Sequence, residues 1–192
     1  MHQYLKPTAI IDFDNPAVQV KAKALRGNSA DDCEVARRCF EFVRDEIKHS
    51  WDHKLNPVTY KASDVLRHGT GYCFAKSHLL AALLRANSIP SGLCYQRLAM
   101  PGDVPSFCLH GLNAVYLKKF GWYRVDARGN KEGVNATFSP PRECLAFPIC
   151  AEGEADCRKI WADPLPEVMH VLQRSETYLD VANNLPDTEA VI

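Results

Sequence analysis

The chain has 192 residues, with 23 Lys and Arg against 23 Asp and Glu, so its formal net charge is zero. That balance argues against a nucleic-acid binder that neutralises many phosphates, while 46% hydrophobic and 24% charged residues exclude a disordered or fibrous chain. The longest apolar run, Leu79 to Leu84, falls far short of the ~20 residues of a membrane-spanning helix, so no membrane partner is expected.

Taken in order, Ala9 to Phe13 reads as a short strand closed by Asp14-Asn15-Pro16. Asn15 as cap and Pro16 at the first helical position then open a helix to about Arg26, where Gly27 and Asn28 stop it. Ser29, followed by Asp31 and Asp32, opens a second helix, in which Cys33, Ala36, Phe40, Val43 and Ile47 recur at helical spacing. His49 and His53 stand four apart, but the Glu of a zinc-hydrolase helix is missing; this segment reads as a polar helix end, and no metal is expected. Asn56-Pro57 is a turn, and Ser63 to His68 gives one or two helical turns before Gly69-Thr70-Gly71. Cys73 to Arg85 leaves almost no polar face, so this helix is expected at the buried centre, ended by a left-handed Asn87 and by Pro90.

After Pro90 the period changes to two. Gly92–Met100, Leu109–Lys118 and Gly121–Ala127 read as strands, the last two forming a hairpin, with Pro101-Gly102 and Pro105 breaking the chain between the first two. The stretch 128–163 reads as irregular, and Pro164 to Asn184 as a final helix. Helices first and then an antiparallel sheet is an α+β plan. The length fits one domain over 1–192, with a core at about 29–127 and a C-terminal extension at 128–192. No basic stretch with a long apolar segment opens the chain, so it is expected to be cytoplasmic with most of its eight cysteines as free thiols.

Cys73 falls in the first turn of the central helix, straight after a glycine-rich approach. A helix N-terminus favours a thiolate and offers unpaired N–H groups to a developing oxyanion. A base is needed, and His110 in one strand with Asp126 at the end of the next supplies a candidate pair. If Lys118-Lys119-Phe120 is a three-residue turn, Leu117 faces Gly121 and Leu112 faces Asp126. His110 then lies diagonal to Asp126 on the same face, while a two-residue turn would put them on opposite faces. Nucleophile, base and orienter are the parts of an activated thiol.

Gly71-Tyr72-Cys73-Phe74-Ala75, Leu83-Leu84-Arg85, Ile89-Pro90, His110 and Gly121-Trp122-Tyr123-Arg124-Val125-Asp126 together resemble the transglutaminase-like superfamily over about Phe40 to Asp126. The resemblance implies a papain-like core of helices packed on an antiparallel sheet. It also implies a Cys-His-Asp triad of Cys73 as nucleophile, His110 as base and acid, and Asp126 as orienter. Ser88 before Ile89-Pro90, and Gly111-Leu112 after the histidine, depart from the common pattern at positions that shape the pocket. The backbone N–H of Cys73 is one oxyanion donor; Trp51 and Gln96 are candidates for the second, with a core aromatic as the plainer reading of Trp51.

The activity implied is a thiol-dependent amide or acyl hydrolase, a cysteine protease or amidase working through a thioester, without a cofactor. Its substrate would be a peptide, a protein or a small amide. A transglutaminase or other acyltransferase could use the same triad, although Gly69-Thr70-Gly71 replaces the Arg-Gly-Gly of arylamine acetyltransferases. A catalytically inactive member that binds peptide or scaffolds a complex is the remaining alternative. Asp12-Phe13-Asp14 lacks the later ligands of a calcium loop.

Overall fold

Asn15 Oδ1 accepts from Ala17 N at 2.9 Å, and Pro16 starts α1 (Pro16–Arg26), which ends at Gly27 with φ 55°. Asp31, rather than Ser29, caps α2 (Asp32–Glu46) by accepting from Cys33 N, and the helix buries Val35, Ala36, Cys39, Phe40 and Val43. These elements belong to a computed structural model that describes residues 1–102 and 106–188. The strand expected at Ala9–Phe13 is a set of turns instead: Thr8 Oγ1 accepts from Ile11 N, Ile11 O accepts from Phe13 N, and Ile11 is buried. Local bonds, together with Ile10 O accepting from Ala62 N at 2.9 Å, satisfy this backbone, so it needs no partner strand.

Beyond α2 come β1 (Lys48–His49), α3 (Ser50–His53), α4 (Ala62–His68) and β2 (Thr70–Gly71), with β1 and β2 paired in parallel. His49 lies in β1 and His53 in α3, so the two do not share a helical face. The next element, α5 (Cys73–Ala86), is buried from Cys73 through Arg85 and packs on α1, α2, α4 and the sheet. Its polar residues face backbone that lacks partners. Arg85 donates to the carbonyls of Lys6, Ser91 and Ala162, and Lys76 to those of Arg44 and Ile47, where α2 runs out of hydrogen bonds. At its end the left-handed residue is Ser88, φ 60°, not Asn87, whose amide is tied to the carbonyls of Ala22 and Leu83.

The main sheet has β3 (Ser91–Ala99), β4 (Phe107–Leu117) and β5 (Gly121–Val125) as an antiparallel meander. Leu117 pairs with Gly121, whose φ of 75° suits the three-residue turn. The stretch 128–163 is more ordered than expected: β6 (Thr137–Ser139) and β7 (Arg142–Cys144) form a hairpin, and β8 (Ala155–Asp156) extends the sheet to the order β5-β4-β3-β8. The final helix is two, α6 (Pro166–Arg174) and α7 (Tyr178–Asn183), because Thr177 and Asp180 build a new capping box. Among the described residues no helix is long and apolar enough to cross a membrane, and all eight cysteines are free. The break expected at Pro105 lies outside the described residues.

Candidate active site

The start of α5 carries no side-chain cap, so the N–H groups of its first turn, with Cys73 at their head, remain open. Two glycines bring neighbours close to it. A Cβ at Gly71 would lie 2.9 Å from Ala75 Cβ, and one at Gly111 would lie 2.8 Å from Phe74 Cδ1 and 3.1 Å from Phe74 Cα. Gly111 thus lets β4 run against the first turn of α5 and sets its neighbour His110 beside Cys73. Gly111→Ala is expected to destabilise the fold by ~1–3 kcal/mol through overpacking. It should also lower any Cys73-dependent turnover by about 100-fold, because a shift of roughly 1 Å spoils alignment. Denaturant titration beside activity checks this, and wild-type turnover in the variant would contradict it.

His110 Nε2 lies 2.7 Å from Asp126 Oδ2, across the register set by the Leu117–Gly121 turn. Cys73 lines the same cleft as the ring and lies near enough to act on its charge; with Nε2 turned to Asp126, Nδ1 is the nitrogen left for the sulfur. Burial alone would lower the His110 pKa, but the charge of Asp126, the nearby Cys73 sulfur and the hydrogen bond to Asp126 push it up to about 10. Burial would raise Asp126; the His110 charge and hydrogen bonds from His110, Ala146 N and Arg128 N instead hold it below the usual carboxylate range. Phe147 stands edge-on to His110 at 5.0 Å.

Cys73 and His110 line a cleft of about 620 Å³. Its lining includes apolar Leu98, Met100, Leu109, Phe147 and Leu185 as well as Arg128 and Lys131, both bonded to Asp52. The C-terminal segment builds a wall of the cleft. Pro186 O accepts from Leu109 N at 2.7 Å, Asp187 accepts from Nε and Nη2 of Arg97 at 2.7 Å, and Tyr178 O accepts from Tyr72 Oη at 2.6 Å.

The sequence profile of the transglutaminase-like superfamily matches residues 19–127, more than half of the 192. The chain belongs to the transglutaminase-like superfamily. No curated protein matches it. Among solved structures, a candidate cysteine protease from Cytophaga hutchinsonii is similar at 22% identity and TM-score 0.51, over 65% of this chain and 40% of that one. The periplasmic domain of TgpA from Pseudomonas aeruginosa is similar at 18% identity and TM-score 0.49, over 65% of this chain and 45% of that one. The chain therefore matches less than half the length of either. The first of these supports a shared α+β fold of the transglutaminase-like, papain-like kind.

Within this superfamily fold, the structure brings Cys73, His110 and Asp126 together and separates the two side chains considered as second oxyanion donors. Trp51 lines the cleft, but at 48% exposure it is not a core residue; its ring leans on Tyr178 at 6.2 Å. Gln96 pairs with His110 across β3 and β4, yet its amide donates to Phe147 O and it is not among the residues lining the cleft. Sequence reasoning missed His49, Asp52, Cys108 and Arg128, all at or beside the cleft. Cys108 had a signal: two residues before His110 in a strand, it shares that face. Burial pushes its thiol up to about 12.

Proposed function

We propose that the protein is a thiol-dependent amide or acyl hydrolase, a cysteine protease or amidase, acting through Cys73, His110 and Asp126. The observation that carries this reading is that Cys73, at the uncapped start of α5, and His110, bonded to Asp126 at 2.7 Å, line one cleft. In the reactive form the thiol proton resides on His110. The sulfur attacks the substrate carbonyl, and the oxyanion turns toward the backbone N–H of Cys73. His110 gives its proton to the departing nitrogen, and a thioester remains. Water then attacks that carbonyl and loses a proton to His110; the C–S bond breaks and an acid is released. Asp126 orients the imidazole throughout. The substrate class is a peptide, a protein or a small amide, without a cofactor, nucleic acid or membrane.

Water rather than an amine is the expected acceptor. A primary amine must be bound and stripped of its proton, which calls for a closed acceptor channel, whereas Trp51 stands half exposed at the cleft and Leu112 is buried elsewhere, with Cys94 and Ala114. A glutamine-containing peptide offered together with a fluorescent primary amine tests both parts. Ammonia release or peptide cleavage should exceed amine incorporation, and Cys73→Ala should abolish every signal. Incorporation equal to hydrolysis at millimolar amine would make the protein a transferase, and turnover surviving in Cys73→Ala would remove the thiol mechanism.

A further inference from the structure

His49 is fixed close to the nucleophile by backbone pairing. In β1 it pairs with Gly71, two residues before Cys73, and its ring stands edge-on to Tyr72 at 5.4 Å. It lines the same cleft as Cys73 and His110 and is only 7% exposed. Its Nδ1 is fully buried without a hydrogen-bond partner, 3.6 Å from Asp52 Oδ2. Asp52 cannot readily turn away, because Arg128 holds it at 2.8 Å and Lys131 at 2.7 Å. A buried, unpartnered ring nitrogen costs free energy that a phenyl ring in the same place would avoid. Packing against Tyr72 is therefore an incomplete account of a histidine here.

We propose, building on the hydrolase reading above, that His49 is a second histidine of the site, which holds the nucleophile entering the thioester while His110 takes its proton. The carboxylate of Asp52 favours the tautomer with hydrogen on Nδ1, which leaves the lone pair of Nε2 to meet a molecule in the cleft. Burial keeps the ring neutral; the charges of Arg128, Lys76 and His110 act in the same direction, against the opposing pull of Asp52. One cleft thus holds two histidines pushed to opposite protonation states, the pattern that separates an acid or base from a neutral hydrogen-bonding group. In the second half-reaction a water donates one hydrogen bond to His49 Nε2. Its oxygen bonds to the thioester carbon, its other proton passes to His110, and the sulfur leaves as thiolate as the C–S bond breaks. His49 neither gains nor loses a proton.

The test separates the two half-reactions with p-nitrophenyl acetate, in which the nitrophenolate burst reports acylation and the steady state reports deacylation. His49→Phe keeps the ring against Tyr72 and should preserve the burst rate within about threefold while slowing the steady state at least about tenfold. His49→Gln, whose amide oxygen can accept, should recover part of that loss. Hydroxylamine, a strong nucleophile at neutral pH, should restore turnover in His49→Phe more than in the wild type. Burst and steady state falling together in both variants would show a purely structural role and overturn the proposal, as would an unchanged steady state. A wild-type burst that does not depend on Cys73 would instead remove the nucleophile reading, and this inference with it.

Discussion

Cys73→Ala is expected to lower turnover by about 10⁴- to 10⁶-fold, and His110→Ala to reach nearly the same floor. The double variant should cost no more than either single change, because thiol and imidazole act as one unit and removing half of it disables the whole. Iodoacetamide at pH 6 provides a readout that needs no substrate. His110 lines the same cleft as Cys73, and it remains charged at that pH. Burial pushes Cys39, Cys94 and Cys108 up to about 12 and keeps them as inert thiols. Exposed Cys150 is then the fair comparison. Cys73 should label ahead of Cys150 in the wild type, and His110→Ala should erase that lead. Equal labelling of the two in the wild type would contradict an activated thiol at this position.

The spatial relation of His110 to Asp126 is legible in the sequence because it depends on one local decision. Lys118-Lys119-Phe120 needs a residue of positive φ to close, and Gly121 at 75° supplies it. Once Leu117 faces Gly121, every later pair follows from the two-residue period of a strand. The position of Cys73 was equally local, since the break at Gly69 to Gly71 and the apolar run after it define where the helix starts. His49, Asp52 and Arg128 depend on contacts between segments far apart in sequence. Asp52 meets Arg128 across 76 residues, and no periodicity reports such a meeting. Gln96 stands opposite His110 as the strand register requires, but its amide donates to Phe147 O and it does not line the cleft, which strand pairing alone does not reveal.

Where the fold departs from the pattern of the sequence, side-chain hydrogen bonds are usually responsible. Thr8 satisfies the backbone at Ile11, which removes the reason for a strand at Ala9–Phe13. Thr177 and Asp180 start a new helix where the apolar pattern alone would carry one helix from Pro164 to Asn184. Lys76, His78 and Arg85 sit wholly inside an otherwise apolar helix. Burial, with the Arg128 charge behind it, lowers Lys76 to about 7, so its place is held by the carbonyls of Arg44 and Ile47 that it serves. Hydrophobic patterning recognises such a helix as buried but gives no sign of which backbone its polar tips will reach.

Asp126 carries the second large prediction, and its burial changes what removal should do. An orienting carboxylate near solvent can be partly replaced by water, but Asp126 is 0% exposed and accepts three hydrogen bonds, from His110, Arg128 N and Ala146 N. Asp126→Ala should therefore destabilise the fold by ~3–5 kcal/mol, since it leaves a buried cation and two backbone donors unmatched. Asp126→Asn keeps the shape but presents an amide that misdirects the imidazole, and should lower kcat by roughly 10⁴-fold. The sign of the pH dependence follows from both partners. The pKa of His110 rises from 6.5 to about 10 on folding, so its contribution is full below 6.5 and is lost as pH climbs through 10. Asp126 falls below 3.8, so its contribution is present above 3.8 and is lost as pH drops through the lower folded value. The stability gap between wild type and Asp126→Asn should thus be widest between pH 3.8 and 6.5 and narrow toward pH 10. Urea titrations at pH 5.5 and at about pH 10 measure that gap directly. A gap of equal size at both would mean that His110 and Asp126 are not an ion pair, and the carboxylate would then act only as an acceptor for backbone N–H groups.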